Sequence, residues 1–337
     1  MKKLFVILAL VFTCQASFAQ HITKADAKIL RLKEDSLKKF AVKIIMGINS
    51  SDRFAADTTF TRMLVRALKT PNSFYYTFDS LQTISQLYAP DSTFKIFTWQ
   101  LMINDNVIRH HGAIQMRTDD GSLKLYGLID KSPVTINQVD TVGNNNGWIG
   151  AVYYNIIQKR SANQNYYTLL GFDENNIRSN RKIIEVVNFI HGEPTFGGRY
   201  FSFEEDSVFK TSIGRYIMEY KKEDGPKLNY DAEMDMIVVE HLVSESNEPN
   251  KKWTLVGDGD YEGFKWKNGK WVHVDKLFHQ ITPLGKEPVP NPVIDANGNV
   301  IQSKLKGNEE DTTEKPAEEK PKTDKSKTAA PKKKVKG

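Results

Sequence analysis

The spacing of apolar residues changes period near Pro90, and that change constrains the fold of this chain more than any other feature. Upstream, Ile29, Leu30, Leu37, Phe40, Ala41, Ile44 and Ile45 recur at three-, four- and seven-residue intervals, the stripe of an amphipathic helix. Thr23 suits its N-cap and Gly47 its stop. A second helix is expected to open near Ser51 or Asp52, to bury Phe60, Met63, Leu64, Ala67 and Leu68, and to end before Pro71. A short third helical segment is expected after Asp79, using Leu81, Ile84 and Leu87.

Downstream the period moves towards two. Residues 94–101, 107–118 and 123–126 read as strands joined by turns at Asn104-Asp105-Asn106 and Asp119-Asp120-Gly121, an antiparallel meander. Further strands are expected at residues 148–158, 166–172, 183–190, 215–221, 236–243 and 253–256, of which 183–190 is ambiguous with a short helix. No repeat of fixed period occurs, so a propeller or solenoid is not supported. The expectation is an α+β protein: N-terminal helices beside a mainly antiparallel sheet, as a sandwich or incomplete barrel.

The two ends read differently. Lys2 and Lys3, the apolar run 4–12, and small residues at Ser17 and Ala19 form the three-part pattern of an export leader cleaved before Gln20. The run is too short to span a bilayer as a helix, which needs about 20 apolar residues. Cys14 is the single cysteine and leaves with that leader, so cysteine catalysis, disulfides and thiolate metal sites are excluded from the mature chain. The organisation expected is a leader at 1–19, a helical segment at 20–90, a β-rich body at 91–285, and a proline-bearing linker with a small hairpin at 286–301. The Lys/Glu-rich tail at 302–337 has the composition of disorder. The tail holds eleven lysines against seven acids, and Lys2 and Lys3 carry the rest of the net charge of +6. Residues 20–301 are therefore neutral, which argues against a nucleic-acid partner. The terminal lysines suit weak, salt-sensitive contact with anionic surface polymers.

Asn268-Gly269 favours a two-residue turn that pairs Trp266 with Trp271 and Phe264 with His273 on one face, leaving Lys265, Lys267 and Lys270 on the other. Phe264, Trp266 and Trp271 would make a stacking platform for sugar rings, or simply the core side of a sheet. Asp258, Asp260 and Glu262 alternate before Gly263 like the start of a calcium loop, but the bidentate acid such a loop needs at its twelfth position is replaced by Gly269. The plainer reading is an acidic turn between two strands, with the glycines supplying positive φ.

His110 and His111 fall on opposite faces of a strand, and His241 with Glu245 has helical spacing inside a strand-like run. Glu204, Glu205 and Asp206 cluster, as do Asp173 and Glu174, without a separation that sequence can supply. The tyrosine pairs 75–76, 153–154 and 166–167 are expected to place one ring inward and one outward wherever they lie in strands. Signatures of metalloproteases, α/β-hydrolases, P-loops and dinucleotide folds are absent. The expectation is an exported, periplasmic, envelope-associated or secreted protein that binds glycan or another envelope component without catalysis and without a cofactor. The alternative is an extracytoplasmic hydrolase acting through carboxylates, with or without calcium.

Overall fold

Helix α1 (Lys24–Met46) begins where the Thr23 side chain accepts a hydrogen bond from the Asp26 amide at 3.0 Å, and it stops at Gly47. The computed structural model describes residues 22–204 and 211–277. The leader, Cys14, Glu205, Asp206, the linker at 286–301 and the tail lie outside the described residues. Leu30, Leu37, Ala41 and Ile44 of α1 are buried, while Ile29 and Ile45 from the same stripe are exposed. Helix α2 (Ser50–Leu68) buries Phe60, Leu64, Ala67 and Leu68.

The third helix does not form. The amide of Ser80 donates to Oε1 of Glu34 on α1 at 2.6 Å, and Leu81 and Ile84 are tucked under the helices by successive turns. Turns share the three-residue spacing that suggested a helix. The chain then enters β1 (Ser85–Tyr88), which pairs with β2 (Phe94–Asn104).

Strands β1, β2, β3 (Val107–Met116) and β4 (Lys124–Ile129) form an antiparallel meander in chain order, the helix-facing sheet. The central sheet runs β5 (Gly143–Asn144), β9 (Glu193–Phe196), β8 (Ser179–Ile190), β7 (Gln164–Asp173), β6 (Val152–Ser161). The outer sheet runs β11 (Ser212–Ile213), β10 (Phe201–Ser202), β16 (Lys270–Val274), β15 (Leu255–Lys267), β14 (Met236–Ser244), β13 (Leu228–Asp231). Strand β12 (Arg215–Lys221) pairs with the lower half of β8, on the edge whose upper half takes β9. Between strands, only β10 with β16 is parallel among the described residues.

Side-chain alternation stacks these elements in four layers. Phe97, Trp99 and Leu101 of β2 meet the helices, while Phe94 and Ile96 meet Tyr167, Leu169 and Ile183 of the central sheet. Leu170, Ile184 and Val186 on the other central face meet Ile237, Phe264 and Trp271 of the outer sheet. The central sheet is thus covered on both sides. That explains why residues 183–190 lack a clean polar–apolar alternation and yet form a strand. Residues 252–254 form one helical turn before β15, so the strand expected at 253–256 begins at Leu255. Asp258, Asp260 and Glu262 sit inside β15, not in a turn.

Candidate functional site

The loop after β4 is fixed by one carboxylate. Asp130 Oδ1 accepts from the Ser132 amide at 2.8 Å, the Ser132 hydroxyl at 2.6 Å and the Gly150 amide at 3.2 Å, while Oδ2 accepts from the His110 amide at 3.0 Å. Burial alone would push the Asp130 carboxyl up, but His110 and Ser132 outweigh it and hold the group well below the usual range. Gly150 is obligatory here: a Cβ would stand 2.6 Å from the Cβ of His110 and 2.7 Å from Cγ of Asp130.

His110, 2% exposed, stands between two aspartates. Its Nδ1 is 3.6 Å from Asp130 Oδ2 and its Nε2 is 3.6 Å from Asp173 Oδ1. Both distances exceed hydrogen-bond length, and Nε2 has no hydrogen-bond partner. Asp173 accepts from the Asn175 amide at 2.7 Å and faces Arg181 at 3.9 Å. His110, Asp173, Arg181, Ser132 and Gln138 help line a well of about 190 Å³.

The well shares Gln138 and Arg181 with a cleft of about 640 Å³ that follows β12 and is lined by Tyr216, Glu219, Glu240, His241 and Glu262. Three glutamates line it, and each already has a donor. Glu219 accepts from Arg181 Nε at 2.9 Å and Ser179 Oγ at 2.7 Å. Glu240 accepts from the Lys227 amide at 2.7 Å. Glu262 accepts from the Tyr216 hydroxyl at 3.1 Å and lies 3.3 Å from His273 Nε2. Burial and the Glu262 carboxylate raise the Tyr216 phenol well above its ordinary value, so it stays a donor. No family model, no curated protein and no solved structure matches the chain.

The residues marked out in the sequence fall differently from their expected grouping. The hairpin register is as read, with Asn268 and Gly269 both at positive φ. Its aromatic face, however, packs inward. Phe264 and Trp271 are fully buried, and Trp271 Nε1 donates to Thr168 Oγ1 at 2.8 Å, which removes both from any sugar platform. Trp266 is half-buried against Tyr166 and Trp271.

The calcium-like acids do not converge. Asp258 binds His241 Nδ1 at 2.7 Å across a bulge in β14, Asp260 faces Lys276 at 3.5 Å, and Glu262 turns into the cleft. Among the described residues no group of three or more His, Cys, Asp and Glu could hold a metal ion.

His110 and His111 do face opposite ways, His111 pairing with Asp57 at 2.9 Å. His241 and Glu245 separate, since Glu245 takes Lys221 at 2.7 Å. Glu204 faces Lys270 at 3.7 Å, and Glu174 faces Lys222 at 3.2 Å. Tyr153 is buried and Tyr154 exposed; Tyr167 is buried and Tyr166 half-buried. Sequence reasoning missed Asp130, Arg181, Tyr216 and Glu219, because only the pairing of β8 with β12 brings Arg181 opposite Glu219.

Proposed function

We propose that this chain is an exported, non-catalytic envelope protein that binds glycan or another envelope component, with the cleft along β12 as its binding surface. The leader-like start supports the compartment. One observation carries the binding role: Glu219, Glu240 and Glu262 all line an open cleft of about 640 Å³, each held by its own donor. Carboxylates fixed in that way present spare lone pairs to ligand hydroxyls or amides, and Leu242, Leu255 and Met218 offer apolar contact beside them. The test is calorimetric titration with soluble cell-wall glycan fragments. Saturable binding weakened about tenfold or more by Glu262→Gln or Tyr216→Phe supports the reading, since one lost hydrogen bond to a charged group costs about 1.5–3 kcal/mol. Absence of binding, or binding indifferent to both changes, counts against it.

A hydrolase acting through carboxylates is favoured by a separate observation, the Nε2 of His110 without a partner at the well beside the cleft. Turnover of the same fragments, lost in Asp173→Asn and His110→Gln, would replace the binding reading.

A further inference from the structure

A different hollow lies between α2 and the β2–β3 hairpin. Strand β2 runs on to Asn104, and Arg53 ties the start of α2 to it: Nε donates to the Met102 carbonyl at 2.9 Å and Nη1 to the Gly47 carbonyl at 2.8 Å. The groove so formed measures about 990 Å³, and Phe54, Leu101, Ile103 and Val107 make its apolar walls. Phe54 is 57% exposed, and nearby Met46, the last residue of α1, is 73% and Ile48, in the turn between the helices, is 92% exposed. Apolar side chains gathered at one end of a charged surface mark a contact site.

Its charges are of one free sign. The single carboxylate in the groove, Asp57, is committed to Trp99 Nε1 at 2.7 Å and to His111 Nδ1 at 2.9 Å. Arg62 and Arg109 line the groove, and neither makes an ion pair with a described residue. Thr61, Arg109 and His111 also line a neighbouring hollow of about 560 Å³, whose other walls include Asn145 and Asn146. The apolar trough therefore adjoins a second, mixed hollow that also holds Asp130, with the Arg109 cation where the two join. At that junction Thr61 Oγ1 is buried without a hydrogen-bond partner.

We propose that this groove binds a single-chain lipid anion, with the acyl chain along Phe54, Leu101, Ile103 and Val107 and the anionic head held by Arg62 and Arg109. Its volume lies at the upper end of the about 300–1,000 Å³ of small-ligand sites. The inference is independent of the β12 cleft. The test titrates the full chain with oleate below its aggregation concentration, following tryptophan fluorescence and heat. Saturable one-to-one binding is expected, about tenfold weaker in the Arg62→Ala/Arg109→Ala double variant and about tenfold weaker for oleyl alcohol. Phe54→Asp should abolish it while leaving the circular dichroism spectrum unchanged. No saturable binding, or binding untouched by the arginine changes, overturns the proposal. So does co-sedimentation with phosphatidylglycerol vesicles that needs Met46 and Ile48 while monomeric oleate does not bind, because that outcome assigns the patch to a membrane surface.

Discussion

Lys95 stands fully buried on β2, turned by strand alternation to the helical side with Phe97 and Trp99. Its ammonium donates to the Tyr76 carbonyl at 2.7 Å and the Tyr88 hydroxyl at 3.0 Å, and it lies 4.8 Å from the Tyr88 ring centroid. Burial lowers its pKa from 10.5 to about 7. Between those values the unfolded chain holds a proton that the folded chain has released, so stability rises with pH across the window and is lowest below it. From about pH 7.5 to 9.5, a gain of roughly 2–3 kcal/mol is expected at about 1.4 kcal/mol per unit. Half-buried Tyr88, raised to about 12, opposes this only above its ordinary pKa of 10. Thermal unfolding at several pH values should show this slope in the native chain and a clearly shallower one in Lys95→Met, where the part left comes from Lys182, also lowered by burial; equal slopes would refute the assignment. Sequence placed Lys95 in a strand but could not show it inside, because lysine is almost always left in water.

Elements were the most legible scale, and the hairpin at Asn268-Gly269 shows why. A two-residue turn fixes register, register fixes which side chains share a face, and Phe264 and Trp271 are too large and apolar to leave in water together. Urea denaturation should rank the two indoles. Trp271→Ala is expected to cost about 3–5 kcal/mol, since it empties a closed site and strands Thr168 Oγ1. Trp266→Ala, at a half-buried position, should cost less than half as much. A reversed order would mean that the aromatic face is not the inner one. Where reading failed at this scale, two structures shared one pattern. The spacing of Leu81, Ile84 and Leu87 fits stacked turns as well as a helix, and the acidic stretch at Asp258 fits an extended strand as well as a turn.

Across the whole molecule, the layered stack positions the cleft, and no local pattern announces it. Asp130, His110, Asp173 and Arg181 lie on separate elements and meet only when the helix-facing and central sheets pack. Arg215 joins the cleft wall to this core. It binds Glu185 at 2.6 Å, with both side chains fully buried, and donates to the carbonyls of Gln138 and Thr141. Arg215→Met strands a buried charge and should cost about 3–5 kcal/mol. It should also free the loop at 132–141, read as faster limited proteolysis there than at the other loops. Uniform cleavage would separate Arg215 from the cleft. The most direct test of the account is hydrogen–deuterium exchange of the full chain with and without soluble cell-wall glycan. Slowed exchange at residues 136–139, 216–219 and 240–242 is predicted. Unchanged exchange there, with glycan demonstrably bound elsewhere on the chain, would contradict it.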